Sequence, residues 1–529
     1  MRFRATRSAA VAAIVGGLAF LCCGSAAAEN ATPVLTEYFD LLVSGNIESA
    51  RHLWHGPSME RSCRFGIEYT DIPLKTDCLS PIVRNIPLMR DHLVPSVKNV
   101  TQLPISPFSK LHYSHIINGE LVEHDYYFYH DGKYFWLCYG QDYYCRGWPV
   151  RESRYLRVHT DPAVATYLHP LILDEADRFL ERIADSLGLS GSEVETLAQK
   201  KIEYFYCRSD STVLQITGRL SKGVFDPASN DVISSFFPHF HELVRFLVNY
   251  KLRRLPLYTQ PLLREGLAVH YGGRWGKTPS ALIDLGCFLY REDIVELDSL
   301  LTITAFETNS GADISYPLAG LFTGFMIDQL GRDNFLKLYL DLSGSSENVA
   351  AMTEDTVRKA LVVATGFDDW TTLVTGFEAH IEKVLAEQAV VLPGSLAEGE
   401  VLLDNGSFRV IGDDRWIAFE FSADGGDGVK GNLLFGPDER LAGERCAMFE
   451  EQYWGELPFE GFRFGVRFDK NEAGLYDYAT NQLVAKYIWG ITPSEDYYRP
   501  DLGRLAIRFR RDLMGGVLPE AGACKLLPN

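Results

Sequence analysis

The sequence contains no C-x-x-C pair, no tight cysteine–histidine cluster, no internal repeat and no low-complexity tract. The first two absences exclude a cysteine-based zinc site. The others exclude a solenoid and a disordered linker protein. Beyond residue 28 no apolar run is long enough to cross a bilayer. Basic residues are in deficit: 51 Lys and Arg stand against 70 Asp and Glu, for a net charge of −19. A surface of that sign repels phosphate backbones, which argues against a nucleic-acid partner. What remains is 529 residues of ordinary globular composition, 46% apolar and 23% charged. That is enough chain for about three domains with real cores.

Residues 1–28 read as an export leader. Arg2, Arg4 and Arg7 form a basic start, Ala9–Cys23 is a short apolar run, and Ala26-Ala27-Ala28 supplies small residues for cleavage. Cutting after Ala28 gives a soluble periplasmic or extracellular chain with no transmembrane helix. The alternative is a lipid anchor at Cys22 or Cys23, although Ala19-Phe20-Leu21 before them suits lipidation poorly. Eight cysteines follow the leader, and an even number in an exported chain predicts disulfides. The local pairings are Cys63–Cys78 and Cys138–Cys145, while Cys207 and Cys287 are paired or simply buried.

Three further regions follow. In residues 29–150, apolar spacing predicts two helices across 34–54. Three aromatic-rich strands follow at Leu111–Ile117, Leu121–Tyr129 and Lys133–Tyr139, with turns at Asn118-Gly119 and Asp131-Gly132. Residues 151–390 alternate α and β: strands at Tyr155–His159, Lys201–Cys207, Val213–Gly218 and Asp231–Phe237, a helix over Ala163–Leu187 and a closing helix over Phe377–Glu387. Val391-Leu392-Pro393-Gly394 reads as a linker. Residues 391–529 are almost purely strand-like, with runs at Ser407–Ile411, Trp416–Phe421, Phe462–Phe468 and Leu505–Phe509, and suggest a β-sandwich. The fold class is therefore multidomain α+β.

The chemistry concentrates in Pro238–Gly273. A helix begins at Pro238 and carries His241, Glu242 and Arg245 on one side; a second helix, at about Pro261–Tyr271, carries Glu265 among apolar residues. A helix with histidines at i and i+4 offers two imidazoles to one metal, and a carboxylate at i+1 can activate the metal's water. A glutamate on the next helix supplies a third ligand.

This arrangement resembles the gluzincin metallopeptidases, H-E-x-x-H…E. His241-Glu242-Leu243-Val244 matches H-E-x-x, and Leu263-Arg264-Glu265-Gly266-Leu267-Ala268 matches the L-x-E-G-x-A helix. Ser315–Gly344 is similar to the S-Y-x-x-A-G-x-F helix and its follower. The resemblance covers about 155–390 and implies a zincin fold. It implies His241 and Glu265 as metal ligands, Glu242 as general base and Tyr316 as an oxyanion donor. It also implies Asp231–Phe237 as the edge strand along which a peptide or protein lies. Residues 29–150 loosely resemble the small α+β cones of the nuclear-transport-factor-2-like superfamily.

Arg245 departs from the pattern, because it stands at the second histidine. Arginine stays protonated and has no lone pair for a metal. His239 and His270 fall off the metal-facing sides of their helices. Two readings stay open. One is an active zinc peptidase with Glu242 as base and an unusual third ligand. The other, which Arg245 favours, has no zinc: the guanidinium stands in for the metal and pairs with Glu265, with Glu242 also in reach. The protein is then a degenerate peptidase that keeps its cleft as a binding or scaffold module.

Overall fold

The computed structural model describes residues 31–84 and 101–389, apart from breaks at 106, 118–119, 169, 275–278, 292, 294 and 310–311, together with strand segments between 400 and 526. The expected leader, the Asn118-Gly119 turn and the 391–394 linker lie outside the described residues.

The chain enters through helices α1 (Thr32–Val43) and α2 (Ile47–Arg51). Leu35, Tyr38, Phe39 and Leu42 recur at helical spacing, so α1 buries one stripe. That stripe packs on an antiparallel four-stranded meander of β1 (Thr101–Ile105), β2 (Phe108–Ile117), β3 (Glu120–His130) and β4 (Phe135–Cys138). Phe39 meets Tyr113 and Tyr126 edge-on at 5.1 and 5.6 Å between ring centroids.

The connecting segment is woven into the rest of the molecule. Glu68–Tyr69 pairs in parallel with Arg254–Leu255, and Phe65 packs edge-on against Phe246 at 4.9 Å. Arg61 bridges Asp142 (2.8 Å) and Asp231 (3.3 Å), and Arg64 holds Glu203 at 2.9 Å.

The central part is built on a five-stranded sheet: β5 (Val150–Glu152), β6 (Leu156–Thr160), β7 (Ile202–Tyr206), β8 (Gly223–Asp226) and β9 (Asp231–Ser234) in the order β5-β6-β7-β9-β8. The strands β6, β7 and β9 run parallel, and β8 is antiparallel to β9. The edge strand expected at Asp231–Phe237 is therefore interior, and Gly223–Asp226 forms the edge on this side. Five helices carry the argument: α3 (Pro170–Ser186), α4 (Asp210–Thr217), α5 (Phe240–Leu252), α6 (Pro261–Gly272) and α7 (Ala312–Asp341). A left-handed Gly331 interrupts α7, at the boundary between the two motifs read in that stretch. The closing helix runs over Trp370–Ala389.

Two further expectations are corrected. Val213–Gly218 is the second half of α4 rather than a strand. The Ser209 side chain caps the Thr212 amide at 3.3 Å and left-handed Gly218 closes the helix, and these caps outweigh the β-branched composition. The helix read from Ala163 is a short 3₁₀ turn over Pro162–Tyr167 and a separate helix, α3, from Pro170, whose fixed backbone angle suits a first turn.

The C-terminal part is strand throughout its described segments, in one five-stranded and one six-stranded sheet. Phe408–Gly412, Trp416–Ser422, Phe464–Phe468 and Arg504–Arg510 fall where alternation placed them. Among the described residues no helix is long and apolar enough to cross a membrane.

The Cys63–Cys78 and Cys138–Cys145 disulfides do not form: Cys63, Cys78, Cys138, Cys145 and Cys207 are free thiols. All but Cys63 are buried and act as small apolar core residues. Burial pushes the Cys207 thiol up to about 12. Thiol titration of the denatured, unreduced chain should find at least five reactive thiols per chain. Two or fewer would restore the disulfide expectation.

Candidate functional site

Helix α5 follows β9 through Phe237-Pro238, with His239 at its N-cap. This places His241 and Glu242 in the first turn, over the open side of β8, and Arg245 one turn further on. Helix α6 starts at Pro261, whose fixed backbone angle suits a first turn, and brings Glu265 to face α5. The approach depends on small residues. A Cβ on Gly266 would overlap the Thr323 side chain and the Ala319 carbonyl of α7. One on Gly272 would come within 2.8 Å of the His241 backbone nitrogen. The glycine of the L-x-E-G-x-A match is therefore a helix-packing position that seats Glu265.

His241 and Glu265 meet directly, Nε2 to Oε2 at 3.0 Å, and both are almost fully buried. The other ring nitrogen, Nδ1, donates to the Gly273 carbonyl at 3.0 Å, because a carbonyl can only accept. Glu265 is held ionised: burial pushes its carboxyl up, but Arg264, Arg245 and the His241 hydrogen bond keep it well below the usual glutamate range. Arg264 Nε lies 2.8 Å from Oε1 and Arg274 Nη1 lies 3.6 Å from Oε2.

The expected Arg245–Glu265 pair is corrected. Arg245 binds Glu242, Nη1 to Oε2 at 3.2 Å, three residues away on the same helix. Glu265 finds its guanidiniums on its own neighbour and just past the end of α6. Glu242 Oε2 also accepts the Phe225 backbone N–H at 2.7 Å, which ties α5 to the edge strand. Burial raises the Glu242 carboxyl, but Arg245, His241 and His239 more than offset this and hold it below the usual value. Tyr316 stands beside the pair, its ring centroid 6.2 Å from that of His241. Arg274 lies over its face at 3.3 Å, and burial, together with Glu265, pushes its phenol up to about 12.

The structure thus gathers His241, Glu242, Arg245, Glu265 and Tyr316 at one place. His239 turns to Ser234 Oγ at 3.1 Å, and burial pushes it down to about 3. His270 lies against Gly324 on the far side of α6. Neither completes a donor set. Two donors already bonded to each other, with three guanidiniums around them, do not fit a catalytic zinc, which takes three protein ligands. Sequence reading missed Arg264 and Arg274. Arg264 sits at an unspecified position of the motif, and nothing in the sequence marks Arg274 as a partner of Glu265.

No family model, curated protein or solved structure matches this chain.

Proposed function

We propose that the protein is an exported, non-catalytic relative of the gluzincin metallopeptidases, in which the zincin-like cleft is kept as a binding module for a peptide or protein. The reading rests on Arg245, which pairs with Glu242 and stands where a second imidazole would complete a zinc site. A general base needs a pKa near the working pH. Here the one candidate carboxylate accepts a backbone amide and a guanidinium, and that guanidinium lowers its basicity. Tyr316, the candidate oxyanion donor, has its ring face covered by Arg274.

Metal analysis of the purified mature chain tests this directly. Zinc should fall far below one ion per chain, and no chelator-sensitive peptidase activity should be found. About one zinc per chain, lost in His241→Ala, would establish the active-peptidase reading instead.

A further inference from the structure

A chamber of about 40 Å³ opens between α5, α6 and the Tyr69 strand. Arg245 and Arg264 both line it, as do Tyr69 and Tyr339. Each arginine spends only one nitrogen on a carboxylate: Arg245 Nη1 on Glu242, and Arg264 Nε on Glu265. The remaining donors, Nε and Nη2 of Arg245 and both Nη of Arg264, have no partner among the described residues, and about a quarter of each side chain is exposed. The Tyr69 hydroxyl is fully buried and also has no hydrogen-bond partner. Buried polar atoms are rarely left unpaired, because an unmade hydrogen bond is costly.

The surrounding charge has one sign in excess. Arg245 and Arg264 line the chamber and no carboxylate does; the nearest ones are Glu242 and Glu265, paired with these arginines, Asp71, which accepts the Leu257 amide at 2.8 Å, and Asp226. Asp226 is already satisfied by Ser229 Oγ at 2.7 Å, the Ala228 amide and Gln141. Both Glu265 oxygens are engaged, and Glu242 Oε2 takes the Phe225 amide and Arg245. In a chain of net charge −19, a cluster of arginines with unused donors needs a reason. Apolar walls from Phe225, Val244 and Leu257 keep the local dielectric low and strengthen any charge–charge contact made there.

We propose that this chamber binds one compact oxyanion, a carboxylate or phosphate head, held between Arg245 and Arg264 with the Tyr69 hydroxyl as a further donor. Guanidinium forks match such groups in geometry as well as charge. The volume is that of about three waters, enough for the head group and no more, so the rest of the ligand lies outside. The proposal deepens the metal-free reading and rests on it.

Calorimetric titration of the full mature chain with inorganic phosphate, at constant ionic strength set by chloride, tests it. Saturable binding is expected. Arg264→Gln should weaken it ~10-fold or more. Tyr69→Phe should weaken it ~3–10-fold while leaving the melting temperature of the ligand-free chain unchanged or higher, since it removes an unpaired buried hydroxyl. A second arm uses a short neutral peptide with a free or an amidated C-terminus. Binding of the free acid alone, displaced by phosphate, assigns the peptide terminus as the source of the oxyanion; binding of phosphate alone assigns a free anion. Absence of saturable binding, or equal binding by wild type, Arg264→Gln and Tyr69→Phe, would overturn the proposal. Zinc measured on the same samples separates the two readings: a zinc-free chain that ignores phosphate defeats only the oxyanion site. A zinc-loaded chain whose phosphate binding vanishes on chelation defeats both.

Discussion

Glu265→Leu is expected to be the most destabilising single change at the site, at roughly 3 kcal/mol. Breaking a buried ion pair by removing one partner typically costs about 3–5 kcal/mol. The lower end applies because Arg264 and Arg274 keep about a quarter of their side-chain surface in water. His241, nearly fully buried, has no such outlet. The effect carries a pH signature. The folded-state pKa of Glu265 lies well below its ordinary value of 4.5. Its contribution is therefore fully present above about pH 4.5 and is lost as pH falls through the folded value. Chemical denaturation of wild type and variant between pH 7 and pH 2 should show curves that are well separated at neutrality and converge in acid. A constant gap across that range would mean that the loss is one of packing and that the Glu265 charge is irrelevant.

The second large effect concerns Arg245→His. It frees Glu242 from its guanidinium and adds an imidazole one turn from His241, giving a three-ligand set with Glu265. Zinc affinity should rise by ~100-fold or more over the wild-type chain. Arg274→Ala in the same chain should tighten it by about another factor of ten, because it removes one of the two guanidiniums that compete for Glu265. Hydrolysis is not expected to return with the metal. The Phe225 amide still holds Glu242, and Arg274, where retained, still covers Tyr316. Competition titration with a chromogenic chelator measures the affinities. A folded Arg245→His chain that takes up no zinc would show that α5 and α6 do not hold their side chains in metal-binding register.

Legibility from the sequence followed the range of the interaction involved. The stripe of α1, the aromatic hairpins and the later strands answer to local periodicity, and they fall where that periodicity put them. The clustering of His241, Glu242, Glu265 and Tyr316 was legible because three separated motifs carry it together. Who pairs with whom was not. Arg245 had two carboxylates within reach, and the choice of Glu242 depends on Arg264 and Arg274 having neutralised Glu265 already. Arg274 reaches that glutamate only because the chain doubles back past Gly272-Gly273. The misread strand in α4 failed for a different reason: one serine hydroxyl and one left-handed glycine decided a short segment whose side chains alone favoured the other state. The cysteines failed because export context says what a thiol could become and nothing about how far apart two of them lie.

A metal centre has to be loaded. Its ion can be stripped by a chelator, exchanged for a tighter-binding competitor or never acquired where the metal is scarce. The cation that faces Glu242 is instead part of a side chain; burial works against its charge, but Glu242 and Glu265 more than offset this and hold its pKa above that of an ordinary arginine. The charge at this position is therefore written into translation itself. It is present from the moment the chain folds, at any pH the fold survives, and independent of metal supply.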